Sequence, residues 1–240
     1  MPPAVVARVP RPRKWLNDGM SFWSRRSSGG RAAAWRAFAG SLELVETLEM
    51  AEKLRHNLDL GDGTIAPIYS LTRSGQPQLV LFEQTRDRSG PAGTVSSLRS
   101  CVLLRANGDN DFVSLRASAR RSSVLEAIEA GRTGSVRVGV PHDPLFDARV
   151  SVYARDGAGA GALLTDGVRS VLLRLLNPVE DTEADDEIPD TVGPAAIPPS
   201  LVIGNKNLLL TVEGPAAVDF DRYTSLTADM LALYAGLRAA

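Results

Sequence analysis

A change of hydrophobic rhythm between Asp143 and Leu176 constrains this chain more than any other feature. Phe146, Ala148, Val150, Val152 and Ala154 alternate with Asp147, Arg149, Ser151, Tyr153 and Arg155. A period of two leaves one face of a strand apolar and the other wet, as in an antiparallel sheet covered on one side. Beyond Gly157 the period lengthens. Val168, Val171, Leu172 and Leu175 fall at i, i+3, i+4 and i+7, an amphipathic helix with Thr165 as its N-cap and Asp166 at its positive end. A strand needing one cover, followed by a helix with one apolar stripe, is the unit of an α+β layer.

The rest of the chain extends this pattern. Residues 32–57 have helical composition, with Trp35, Phe38 and Leu42 on one face; Leu44, Leu48, Ala51 and Leu54 continue that helix or begin another after Gly40-Ser41. Gly61-Asp62-Gly63 breaks the pattern and strands follow. Ile65, Ile68 and Leu71 lead through a turn at 73–77 into Gln78–Thr85, which is apolar on both faces and therefore central. Residues 86–94 read as a polar loop. Leu98–Arg105 and Asp111–Ala117 read as two strands joined across Asn107-Gly108, which completes a four-strand meander. Ser122 or Ser123 opens a short helix, and Val136, Val138 and Val140 form a brief strand. Near the end, Leu201–Ile203 and Leu208–Val212 form a hairpin. Asp219 or Asp221 then caps a terminal helix with the stripe Tyr223, Leu226, Met230, Leu233, Tyr234 and Leu237.

The fold expected is α+β: mainly antiparallel sheet with helices packed on one face, ending in a strand-helix-hairpin-helix unit. Residues 1–30 read as a disordered basic tail, rich in Pro and Arg, and residues 31–240 as the globular domain. That domain divides, in one arrangement, into subdomains 31–140 and 141–240, with a disordered acidic insertion at 178–196. Met20 is an alternative start. Trp15, Leu16, Phe22 and Trp23 beside basic residues give the tail a second reading as an interfacial membrane anchor.

Composition excludes several classes. No apolar run approaches the roughly 20 residues of a membrane-spanning helix. The net charge is −1 and the pI about 6.2, so there is no overall basic footprint and no nucleic-acid partner is expected. Arg116, Arg120 and Arg121 cluster, but without interleaved aromatics they do not make a stacking surface. A single cysteine, Cys101, and the lack of an apolar leader segment point to the cytoplasm.

The motifs that suggest chemistry each have a simpler reading. Gly157-Ala158-Gly159-Ala160-Gly161-Ala162 matches the glycine fingerprint of a dinucleotide turn. Asp156 puts a carboxylate where phosphate would sit, however, and the strand before it alternates instead of being buried on both faces. It reads as a connector with a helical turn up to Leu164, and no cofactor is expected. His56 and His142 have no cysteine or carboxylate partners at ligand spacing, so no metal is expected. His142-Asp143, half of an acid/base pair at most, reads as a turn between Pro141 and Pro144. Cys101 lies in an apolar β pattern and reads as a buried thiol. The acids between Glu180 and Asp190 lack the Gly and the alternating ligands of a Ca²⁺ loop.

Residues 141–240 resemble a family of bacterial proteins of unknown function. The resemblance rests on Asp143-Pro144-Leu145-Phe146-Asp147, on Leu163-Leu164-Thr165 opening a helix, and on Leu208-Leu209-Leu210 in a hairpin before a terminal amphipathic helix. It implies no catalytic residues, and it implies that the 157–161 segment varies in the family. The function expected is a non-catalytic cytoplasmic binding or protein-interaction module, with a protein partner or a second copy of the chain. The alternatives are an enzyme whose site assembles only in the fold, and a peripheral membrane protein held by the basic N-terminus.

Overall fold

The computed structural model describes residues 28–58, 60, 62–90, 93–107, 112–120, 130–131, 133–176, 199–213 and 220–239. Residues 1–27 of the basic tail, the acidic insertion, residues 122–129 of the short helix expected after Ser122 and the cap expected at Asp219 fall outside the described residues, whereas residues 28–30, read as tail, open the first helix and Asp221, the other cap read, lies inside the last one.

One antiparallel sheet of nine strands organises everything described: β1 (Val45–Glu46), β2 (Thr64–Leu71), β3 (Gln78–Gly90), β4 (Gly93–Arg105), β5 (Phe112–Ala119), β6 (Val136–Arg137), β7 (Val150–Ala154), β8 (Ser200–Asn205) and β9 (Asn207–Glu213). The spatial order is β1-β2-β3-β4-β9-β8-β5-β7-β6. Strands from before and after Pro141 therefore alternate within a single sheet. Six α-helices accompany it among the described residues: α1 (Ser28–Ser41), α2 (Ala51–Leu58), α3 (Pro144–Arg149), α4 (Gly157–Leu163), α5 (Asp166–Leu176) and α6 (Phe220–Ala239).

The register sorts side chains between two faces, because neighbours across a ladder point the same way. Tyr69, Leu81, Val102, Leu210, Leu201, Ala117 and Val152 form one unbroken row on the first face. This row floors the larger core, which α1, α3, α4, α5 and α6 close with Trp35, Phe146, Ala160, Leu172 and Met230, among others. The second face is built on Ile68, Val80, Phe82, Cys101, Leu103 and Leu209, and α2 covers it with Leu54. Both faces of β3 are thus buried, as its continuous apolar run requires.

The α+β class and the antiparallel sheet stand as the sequence predicts, and five helices share one face while α2 takes the other. The stripes of the last two long helices are buried as expected, from Val168 to Leu176 and from Tyr223 to Leu237. Thr165 Oγ accepts from Val168 N at 3.4 Å, and the 200–213 hairpin forms. Arg174 bridges the two helices, donating Nε and Nη2 to Asp229 Oδ1 at 3.1 and 2.7 Å.

Four local expectations are corrected. Phe146 and Ala148 belong to α3, not to a strand, because Asp143 caps a helix with Pro144 at its first turn; only Val150–Ala154 is extended. The polar face of that strand is not wet: Ser151 is fully buried. Residues 86–90 pair with residues 93–97 as a two-stranded ribbon, so the segment read as a loop is mostly ladder, since ladder hydrogen bonds come from the backbone whatever the side chains. The meander stops at three strands. The β8–β9 hairpin enters between β4 and β5, and β4 pairs with β9 while β5 pairs with β8 and β7. The Asn107-Gly108 signal is local, whereas a whole apolar hairpin competes for the same ladder.

Candidate functional site

Most residues singled out for chemistry serve the scaffold. Asp143 accepts from Phe146 N at 3.0 Å and from Arg169 Nε at 2.9 Å. The backbone donor and then the guanidinium hold its carboxyl below the usual range. Arg169 also donates to Leu164 O at 2.6 Å and to Asp166 at 2.6 Å, so one side chain ties the starts of α3 and α5 to the end of α4. His142 and His56 are exposed, and Asp143 points its carboxylate at these partners. Because folding lowers the Asp143 pKa, its contribution is complete above the unfolded value and is lost as pH falls through the folded one. Asp143→Asn is expected to lower Tm near neutral pH, with the gap to wild type closing below about pH 4; a gap that stayed constant to pH 2 would show that the charge does no work.

The glycine segment is α4, a helix of seven residues. Asp156 caps it, accepting from Gly159 N at 2.9 Å. A Cβ at Gly159 would lie 2.3 Å from Asp156 Oδ2, so this glycine admits the capping carboxylate of its own chain. Cys101 is fully buried beside Thr211, and burial pushes its thiol up to about 12 despite the hydrogen bond from that neighbour. Among the described residues no three His, Cys, Asp or Glu side chains group to hold a metal ion.

Two arrangements appear only in the fold. On the second face, the row Val202–Arg116–Tyr153–Arg137 places an aromatic ring between two guanidiniums. The Arg116 cluster is therefore not free of aromatics, as the linear sequence suggested. Arg116 and Arg137 of this row are exposed and Tyr153 is half-buried, while Ser151 beside Tyr153 is sealed from solvent. Arg120 and Arg137 both donate to Asp147 O, at 2.9 and 3.1 Å.

The second arrangement lies where α1 and α6 cross the end of the first face. Glu83 on β3 is 3% exposed and accepts a two-pronged donation from Arg31 of α1, with Nε to Oε2 at 3.0 Å and Nη2 to Oε1. Trp35, one turn along, stacks on Tyr69 at 6.0 Å and meets Phe220 and Tyr223 edge-on at 5.6 and 5.4 Å. The Tyr223 hydroxyl, Thr227 Oγ one turn further on, and the Trp35 indole nitrogen are all buried without a hydrogen-bond partner. Burial, then Glu83, raises the Tyr223 pKa. A carboxylate directly after the apolar run Leu79–Phe82 of β3 is the one sequence signal of this site. Its partner lies 52 residues away and carries no local mark.

The sheet edges complete the inventory. Val45 on β1 and Val136 on β6 are 65% and 55% exposed, Leu48 just after β1 is 59% exposed, and Leu145 on α3 is 71% exposed. No helix among the described residues is long and apolar enough to cross a membrane. No family model, curated protein or solved structure matches this chain.

Proposed function

We propose that the chain is a non-catalytic cytoplasmic binding module that takes a protein partner along the edges of its sheet. One observation carries this reading. Of the large apolar side chains most exposed among the described residues, Val45 and Val136 lie on the two edge strands and Leu48 follows β1 by two residues. Edge strands are where a sheet accepts another chain, and both are cut to two residues here, a common restraint on indiscriminate pairing. The engagement of Asp143, Asp156, Arg169 and Glu83 in caps and ion pairs supports a scaffold more than a reaction centre. The single cysteine supports a reducing compartment, and a net charge of −1 gives no support to a nucleic-acid partner.

The test is site-specific photocrosslinking in cells, with benzoylphenylalanine replacing Val45, Val136 or the exposed α6 residue Ala232. Discrete adducts at 45 or 136 and none at 232 are expected. Indistinguishable labelling at all three positions would end the proposal.

A further inference from the structure

We infer that the Glu83 end of the first face is a receptor for a guanidinium group, filled in this conformation by Arg31 of the chain's own first helix. Glu83 is the one carboxylate among the described residues buried below a tenth of its surface. A carboxylate at that depth requires a cationic donor, and a planar fork satisfies both of its oxygens at once. Arg31 does so with Nε and Nη2. On α6, whose Tyr223 ring meets Trp35 at 5.4 Å, the hydroxyls of Tyr223 and Thr227 are buried and unpartnered, each able to accept from further N–H groups. Trp35, Tyr69 and Phe220 make the neighbouring wall aromatic, the surround that favours a weakly hydrated, planar cation.

The resident group is held against a local preference. Arg31 lies in the first turn of α1, which has no acidic residue there, so its charge faces the positive end of the helix dipole. An alkylguanidine, or an arginine side chain presented by another molecule, meets the same carboxylate without that opposition. The site thus takes guanidinium-bearing ligands in exchange for Arg31. This is independent of the sheet-edge reading, whose variants leave Glu83 untouched.

The experiment is chemical rescue of the full chain. Arg31→Ala leaves Glu83 unpaired and lowers Tm. Millimolar methylguanidine is expected to raise the Tm of this variant by several degrees, with methylamine at equal ionic strength having little effect, and to leave Arg31→Ala/Glu83→Gln unmoved. A capped Ala-Arg-Ala peptide forms the second arm: a shift with both probes assigns an arginine side chain, and a shift with methylguanidine alone assigns a small free guanidinium. Equal responses in the single and double variants, or none in the single variant, would overturn the inference. If Arg31→Ala does not fold, Arg31→Met keeps the stem packing and carries the same comparison. Should neither fold alone, recovery of near-ultraviolet dichroism in methylguanidine but not in methylamine supports the site, and no recovery in either refutes it.

Discussion

Replacing Trp35 with Ala is expected to lower the unfolding free energy by about 3–5 kcal/mol, measured by urea denaturation. Trp35 is fully buried and joins α1 to the rest of the protein through three rings on two other elements: Tyr69 of β2, and Phe220 and Tyr223 of α6, with Phe38 from its own helix. Besides the Arg31–Glu83 pair, the other buried residues that anchor α1 are Phe38 and Ala39. The cavity would therefore open at a junction instead of in a mass of packing that can relax around it. Trp35→Phe separates two contributions. It keeps most of the ring area and removes a buried indole N–H with no acceptor, so its cost should be well under half that of the alanine variant. A near-zero effect of Trp35→Ala would mean that α1 is not docked on this face.

Replacing Phe82 with Ala should cost a similar amount, about 3–5 kcal/mol. Phe82 is fully buried at the centre of the second-face core, between its ladder neighbours Ile68 and Cys101. That core is small. Beyond the sheet it is closed by Leu54 and Leu60, with Met50, Ala51 and Leu58 half-buried at its margin. Losing one aromatic ring from so few contributors should loosen α2 as well as lower stability. The Cys101 thiol gives a second reading of the same event. It is protonated and out of reach in the native chain, and it should react with a thiol reagent faster in Phe82→Ala than in Trp35→Ala at matched stability. The two substitutions lie in different clusters on opposite faces of the sheet, so their costs should add. Strong non-additivity would show that the faces are coupled through the backbone of β3.

What could be read locally was read correctly where one period ran long enough. Eleven residues of α5 and the stripe of α6 specify their own faces, since a helix repeats every 3.6 residues whatever it packs on. The Gly204–Asn207 turn specifies a hairpin for the same reason. Errors arose where two patterns overlap over a few residues. Phe146-Asp147-Ala148 satisfies an alternation of two and also one turn of helix, and the decision fell to Asp143, whose carboxylate reaches Phe146 N. The Ser151 face looked wet because serine is polar, but exposure depends on what lies above the sheet.

The candidate sites were less legible than the fold. Glu83 could be marked as a charge in a buried strand, but not as the partner of Arg31. The Arg–Tyr–Arg row draws on β5, β6 and β7, and the exposed apolar residues became meaningful only once β1 and β6 proved to be edges.

By itself the amino-acid order determined the layer type, the two long helices, the terminal hairpin and the scaffold roles of the glycine run, because each depends on backbone geometry and periodicity within about a dozen residues. The tertiary structure alone decided that β8 and β9 part β4 from β5, that Glu83 meets Arg31, and which strands remain at the rim. Those outcomes depend on competition among segments far apart in sequence for the same hydrogen-bonding edge and the same buried volume, and no local window records who wins it.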